Sequence, residues 1–151
     1  MRRTPLALSA VILAAGCALT ACGGQDEPDL KVEGAFIPAP ASGDMAAGFF
    51  VVRNSGGADT LTSVSSTLAR QVTLHSTKGG VMKEQKSFAV PADGTLDFER
   101  GGNHLMFENV AQKPEEGDKV AVELHFAKAG TVKVAFPVKA ATYNPTSHAS
   151  H

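Results

Sequence analysis

Histidine and methionine are scarce in this chain, and two of them stand one residue apart. His104 and Met106 flank Leu105 in a stretch rich in strand-forming residues. Residues two apart on a strand point to the same side, so both side chains can reach one metal ion. Thioether sulfur is a soft ligand and imidazole a borderline one, a combination that favours Cu(I) over hard cations. The triplet therefore predicts a copper site, with a methionine that merely fills the core as the alternative.

Two upstream residues extend this pattern, and two histidines follow it. Met82 precedes His104 with 21 residues between them, and His75 ends a predicted strand seven positions before Met82. His148 and His151 lie near the C-terminus. This pair is a candidate accessory Cu(II) site, or part of a flexible tail without a role in metal binding.

Neither cysteine belongs to the predicted folded domain. Cys17 lies in the N-terminal leader, Cys22 follows it directly, and no cysteine occurs from Val32 onward. Thiolate metal sites, thiol redox chemistry and cysteine nucleophiles are thereby excluded from the domain. A blue-copper electron-transfer centre is also excluded, because it requires a cysteine ligand. A site of histidine and methionine suits an oxidising compartment, where paired thiols are at risk.

The first 21 residues are typical of a bacterial lipoprotein signal peptide. Two arginines precede an apolar run that is too short for a comfortable membrane span. Leu19-Thr20-Ala21-Cys22 resembles the lipobox, which implies cleavage before Cys22 and acylation of its thiol. Ala15-Gly16-Cys17 is a weaker candidate, and a plain signal peptide is the alternative. We expect a lipid anchor on the outer face of the cytoplasmic membrane, with residues 22–30 as a flexible tether.

Composition limits what the rest of the chain can do. The length that remains after the signal peptide fits one domain. The 14 basic and 15 acidic residues give a net charge of −1, or −3 without Arg2 and Arg3, and no basic stripe is present. We therefore expect no nucleic-acid partner. Serine-hydrolase, zinc-protease and P-loop motifs are all missing from the sequence, so we expect no enzymatic activity.

Residues 31–140 read as a series of short strands separated by turn signals. Apolar residues alternate in them, and no stretch of ten or more residues has a helical period. The predicted strands span residues 31–37, 48–53, 59–64, 71–75, 88–90, 95–98, 103–110, 119–126 and 131–138. This series is typical of an antiparallel β-sandwich or barrel. Met45 falls in a predicted loop, where it is either core or loop filler or a surface methionine near the site. Residues 141–151 form a small polar tail that we expect to be flexible.

The stretch from Ala46 to Phe136 resembles the PCuAC-type periplasmic copper chaperones. That family has a histidine, a methionine, 21 intervening residues and then His-x-Met, which Met82 and His104 match without a gap. Val90-Pro-Ala-Asp-Gly94 and Arg100-Gly-Gly-Asn-His104 resemble the segments around that motif. One spacing differs, because six residues separate His75 from Met82 where the family usually has ten. We expect a shortened loop over residues 76–80.

The resemblance implies an antiparallel Greek-key β-sandwich of the cupredoxin-like type that binds one Cu(I) through His75, Met82, His104 and Met106. It also implies that copper is delivered by ligand exchange towards cytochrome c oxidase assembly. The expected acceptor is a Sco-type thiol protein or an oxidase subunit, and the expected oligomeric state is a monomer. Copper storage or resistance is one alternative function. A surface interaction domain with structural histidine and methionine is another.

Overall fold

The alternating apolar residues fold into strands, as their period of two requires. The computed structural model describes residues 26–145, among which there are ten strands and no helix. The strands are β1 (Leu30–Pro38), β2 (Met45–Asn54), β3 (Asp59–Ser66), β4 (Ala69–Lys78), β5 (Val81–Gln85), β6 (Phe88–Val90), β7 (Gly94–Phe98), β8 (His104–Val110), β9 (Lys119–Phe126) and β10 (Gly130–Lys139). Within this described part, no helix is long and apolar enough to span a membrane. The predicted signal peptide, Cys22, His148 and His151 lie outside the described residues.

The strands pair in the order β5-β4-β8-β2-β1-β10-β9-β3-β6, and β7 pairs with the C-terminal half of β2. Between the described strands, every pairing is antiparallel except that of β1 with β10, where Ile37 lies opposite Val138. The predicted antiparallel arrangement is therefore present in every described pairing except this one, which makes the sheet mixed. A tight turn cannot join two parallel strands that lie side by side. β1 and β10 are the first and last strands of the domain, so their parallel pairing needs no such turn.

The core is built from aromatic and branched aliphatic side chains. Phe50 stacks on Phe98 with ring centroids 4.4 Å apart and meets Phe136 edge-on at 5.7 Å. Burial of each such side chain contributes about 1.5–3 kcal/mol to the free energy of unfolding. Among the described residues, the buried apolar side chains are all phenylalanine, leucine, isoleucine, valine or alanine, and none is methionine.

Four strands, β5, β4, β8 and the N-terminal half of β2, form the sheet that carries the candidate ligands. Its inner face packs into the core through Leu74, Leu105 and Phe107. A Cβ atom on Gly48 would lie 2.9 Å from Cε2 of Phe107, so glycine permits the close contact between β2 and β8. We call the opposite side the outer face. The register places on it Met45, Ala47, Gln71, Thr73, His75, Thr77, Met82, Glu84, His104, Met106 and Glu108.

A tight hairpin replaces the loop expected over residues 76–80. Strand β4 continues through Lys78, and only Gly79 and Gly80 form the turn before β5. Both glycines have positive φ, 57° and 76°, as a two-residue type I′ turn requires. The loop prediction is therefore wrong, and β5 is a strand that the alternation pattern does not predict. Each of the nine predicted strands is present, with ends shifted by up to three residues.

The other end of β2 is fixed by a buried asparagine. The Asn54 side chain accepts hydrogen bonds from the backbone N–H groups of Asp29 and Gly56 and donates to the carbonyls of Gly57 and Pro91. Residues 26–29 cross this turn so closely that a Cβ atom on Gly57 would collide with their backbone. The N-terminal segment is thereby held against the Asn54 end of β2.

Candidate metal centre

His75 and His104 lie directly opposite each other in the pairing of β4 with β8. Their rings stack with centroids 5.4 Å apart and planes inclined by 16°. Two imidazole rings from different strands thus lie side by side at one point of the outer face. This contact joins the first histidine of the predicted set to the His104-Leu105-Met106 triplet.

The orientation of the His104 ring is set by the backbone. Its Nδ1 lies 3.1 Å from the Gly102 carbonyl oxygen, which can only accept, so Nδ1 carries the hydrogen and donates. In the neutral ring, Nε2 then keeps its lone pair. Nε2 faces the Met82 sulfur at 3.1 Å. A thioether has no hydrogen to donate, so two electron-pair donors face each other, as two ligands of one metal ion do.

Met82 reaches this position because of the hairpin. The β4–β5 register pairs Met82 with Thr77, which lies two residues beyond His75 on the same face. A two-residue turn therefore places the thioether on the same face as both histidines, in contact with His104, although only six residues separate His75 from Met82. Met82 lies on an edge strand, and 54% of it is exposed.

His75 is held by a hydroxyl and leaves one nitrogen unused. Its Nε2 lies 2.8 Å from Oγ1 of Thr73, and its Nδ1 is buried without a hydrogen-bond partner. A buried polar atom without a partner costs about 1–3 kcal/mol. A metal ion bound to Nδ1 would remove that cost, so this nitrogen fits the role of a ligand.

Met106 lies on the same face as His104, two residues further along β8. It is half-buried, and the register sets it between Thr73 of β4 and Ala47 of β2. Its inward-facing neighbours Leu105 and Phe107 are fully buried, which keeps the Met106 side chain on the outer face. The structure therefore brings His75, Met82, His104 and Met106 to one surface.

The chemistry of the donor set narrows the choice of metal. Within residues 26–145, no three histidine, cysteine, aspartate or glutamate side chains form a group that could hold a metal ion. A metal at this place would consequently depend on thioether sulfur. That requirement fits copper as Cu(I) and does not fit hard cations, which need oxygen ligands.

Comparison with known proteins places the chain in a family. The profile described as "Putative lipoprotein LpqE-like" matches residues 30–138, most of the described domain. The chain belongs to the LpqE-like family. It is also 35% identical over 156 residues to "Putative lipoprotein Lxx21020" of Leifsonia xyli subsp. xyli, covering 92% of this chain and 93% of that protein.

Solved structures similar to this LpqE-like protein include PCuAC domains. The apo PCuAC domain of PmoF2 has a TM-score of 0.67 and 23% identity, covering 80% of this chain and 98% of that one. Cu(I)-bound DR1885 of Deinococcus radiodurans has a TM-score of 0.64 and 27% identity, covering 81% of this chain and 85% of that one. The resemblance to the PCuAC type and the cupredoxin-like β fold are thereby confirmed.

Sequence reasoning missed the groups that orient the two candidate histidines of this LpqE-like protein. Thr73 was readable in principle, because it lies two residues before His75 and must share its face. The Gly102 carbonyl had no sequence signal, since every residue has a backbone carbonyl.

His125 lies apart from the candidate site, on β9. Ser65 and Thr131 form hydrogen bonds with its two ring nitrogens.

The chain leading to the C-terminal histidine pair passes near the loop before β8. Arg100, four residues before His104, donates hydrogen bonds to the carbonyls of Ala141 and Tyr143. The Tyr143 ring meets Phe36 edge-on at 5.0 Å. Ala141 and Tyr143 are therefore fixed to the loop that leads into β8 and His104.

Proposed function

We propose that this LpqE-like protein is an extracytoplasmic copper carrier that binds one Cu(I) through His75, Met82, His104 and Met106. The observation that carries the proposal is the 3.1 Å approach of His104 Nε2 to the Met82 sulfur, with Nδ1 committed to the Gly102 carbonyl. The orphaned Nδ1 of His75 supports it independently. Similar solved structures add support, since they include a copper-bound PCuAC domain from PmoF2 and Cu(I)-bound DR1885.

The chemistry of release follows from the ligands. All four are neutral, so no bound anion compensates the charge of Cu(I), and each thioether is a weak ligand. Met82 stands on the exposed hairpin, where an incoming ligand can approach. Transfer breaks the bond between copper and the Met82 sulfur as a bond forms to the acceptor's ligand, and copper stays Cu(I) throughout. This role requires no catalysis.

The proposal extends to the compartment. Residues 1–21 act as the signal peptide and Cys22 carries the lipid, so that the domain of residues 31–140 stands on the outer face of the cytoplasmic membrane. The lipoprotein names of the family and of its Leifsonia xyli relative support this part. The tether predicted over residues 22–30 is then limited to the stretch between Cys22 and Asp26, because residues 26–29 are held against the Asn54 turn and Leu30 begins β1. Residues 141–151 carry His148 and His151 as an accessory Cu(II) site.

The proposed route leads towards cytochrome c oxidase assembly, with a Sco-type thiol protein or an oxidase subunit as the acceptor. A thiolate acceptor binds Cu(I) more strongly than thioethers do, which gives transfer its direction. The alternative function of the same site is copper storage or copper resistance.

Anaerobic titration of Cu(I) against a competing chelator tests the ligand set. Met82→Leu with Met106→Leu removes both thioethers while keeping side-chain volume, and the Cu(I) affinity should fall by at least a hundredfold. Val81→Leu is the matched control, because Val81 lies beside Met82 and is 58% exposed on the other side of β5. Unchanged affinity in the double variant would show that the proposed site is wrong.

A second titration separates the carrier from an interaction domain with structural histidine and methionine. His148→Ala with His151→Ala removes the C-terminal pair and leaves the Arg100 and Tyr143 contacts in place. A carrier retains its tight Cu(I) binding in this variant. An interaction domain loses all copper affinity.

A further inference from the structure

All methionines among the described residues lie on one surface. Met45, Met82 and Met106 belong to three different strands, yet the register puts each of them on the outer face. Methionine usually fills gaps in cores, and the buried core of the described domain contains none. The proposed four-ligand site uses two of the three, so Met45 is left without a role.

Met45 is held beside Met106 by strand pairing. It is the first residue of β2 and lies opposite Glu108, while Ala47 lies opposite Met106. The N–H of Val110 donates to the Asp44 carbonyl at 3.2 Å, which continues the ladder past Met45. The expectation that Met45 lies in a loop is therefore wrong. Met45 and Met106 are diagonal neighbours across the strand pair. The Cα atoms of such neighbours lie about 7–8 Å apart, a distance that long side chains can span.

The surroundings of Met45 leave room for a cation. Ala47 is small, so nothing bulky on β2 lies opposite the Met106 side chain. Met45 itself is 45% exposed. The Glu108 carboxylate, directly opposite Met45, makes no hydrogen bond or ion pair with any described residue. An unpaired negative charge beside two thioethers attracts a soft cation and provides an additional ligand.

We propose that Met45 and Met106, with Glu108 beside them, form a second and weaker Cu(I) position that loads the main site. This inference rests on the proposed function. Copper first binds the two thioethers at the β2–β8 edge. It then moves along β8 as the bond to the Met45 sulfur breaks and a bond to His104 forms, while Met106 stays bound. Copper remains Cu(I), and no redox partner is needed.

Methionine-methyl NMR tests the second position. The mature chain, carrying His148→Ala and His151→Ala so that the tail cannot bind, is labelled with ¹³C at the methionine methyl groups. Cu(I) is then added anaerobically as its acetonitrile complex. We expect the Met82 and Met106 resonances to shift through the first equivalent. Once Met106 is bound at the main site, a second ion meets only the Met45 sulfur and the Glu108 carboxylate, so the Met45 resonance should shift through the second equivalent, with weaker affinity. In Met45→Leu, the first equivalent should bind with unchanged affinity but load at least threefold more slowly.

The outcomes separate the two proposals. A Met45 resonance that does not move while Met82 and Met106 shift overturns the second position and leaves the carrier function intact. A Met45 shift that is complete at one equivalent overturns it too, because it reports only proximity to the main site. If none of the three resonances moves, the proposed function itself fails. Glu108→Gln should weaken the second equivalent alone, and an equal effect on the first would contradict the assignment of Glu108.

Discussion

The Nε2 atom of His104 lies 3.1 Å from the Met82 sulfur, although 21 residues separate the two positions. The contact depends on a hairpin of two glycines, on the pairing of β4 with β8, and on a backbone carbonyl that holds the far side of the imidazole. The turn glycines can be altered without touching a proposed ligand, and so can the Thr73 hydroxyl that holds His75. They therefore offer sharper tests of the site than replacement of the ligands themselves.

The first prediction concerns the hairpin turn. Gly79→Ala with Gly80→Ala places Cβ atoms at two positive φ angles, which costs about 1–2 kcal/mol for each residue. The paired form of β5 becomes less populated, and the Cu(I) affinity falls with that population, by about tenfold. Chelator competition and thermal unfolding measure the two effects.

Gly43→Ala is the control for the hairpin variant. A Cβ atom at Gly43 would meet nothing within 4 Å, and its φ is not positive. Copper affinity and unfolding temperature should both remain at their original values. A hairpin variant that binds Cu(I) as tightly as the original protein would mean that Met82 does not need the turn to reach the metal.

The second prediction concerns the hydroxyl that holds His75. Thr73→Val keeps the shape of the side chain and removes the hydrogen bond to Nε2. Loss of such an orienting partner lowers metal affinity by about 10- to 100-fold. The His75 ring resonances in NMR spectra should also shift before any metal is added.

Thr77→Val provides the comparison on the same strand and the same face. Thr77 pairs with Met82 in the register and makes no side-chain hydrogen bond within the described part of the chain. It should leave Cu(I) affinity unchanged within twofold. Equal losses in the two variants would show that Thr73 acts through general stability rather than through His75.

The third prediction concerns acid stability and a carboxylate far from the site. Burial raises the pKa of Asp59, but N–H groups of Ala129, Thr60 and Lys128 donate to its carboxylate and hold the pKa below its ordinary value. The ionised form is thus the one that stabilises the fold. That contribution is complete above the ordinary aspartate pKa, about 3.9, and is lost as pH falls through the lower pKa of the folded state.

Asp59→Asn should accordingly reduce the free energy of unfolding by about 1.5–3 kcal/mol at pH 7. The difference from the original protein should shrink as pH falls below about 4. Urea unfolding at several pH values measures it, with Asp97→Asn on the exposed side of β7 as the control. A difference that is independent of pH would show that shape, rather than charge, explains the effect. Cu(I) affinity should not change.

The fourth prediction separates delivery from storage. A strain that lacks this chain should lose cytochrome c oxidase activity under copper starvation and regain it when copper is added. The chain with Cys22→Ser, which cannot be acylated, tests whether anchoring matters for delivery. Normal oxidase activity in the deletion strain, together with greater sensitivity to excess copper, would favour storage or resistance.

The shared face of the proposed ligands on β8 was predictable because a strand has a period of two, so His104 and Met106 could be assigned to one face from spacing alone. Strand β5 was not predictable in that way. It is exposed on both sides, and Val81 and Met82 are adjacent apolar residues that break the alternation. The only local signal was the Gly79-Gly80 pair between two extended stretches, which is typical of a type I′ hairpin.

Other features arise only from three-dimensional packing. The parallel pairing of β1 with β10 joins residues a hundred positions apart, and no local pattern encodes it. The place of Met45 depends on where β2 begins, which the small residues around Ala46 and Ala47 obscure. Asn54 could be recognised as a turn residue, but its four hydrogen bonds to three separate segments could not.

With Cys22 acylated as proposed, the segment held by Asn54 would set the height of the proposed copper site above the membrane. Asp26 lies four residues after Cys22, a chain length of about 13 Å at most. With Cys22 acylated, the Asn54 end of β2 is therefore kept close to the lipid headgroups. Met45 begins the same ten-residue strand, up to about 30 Å away. The thioethers would then project towards the aqueous space, at a distance suited to acceptors whose own metal sites stand clear of the bilayer.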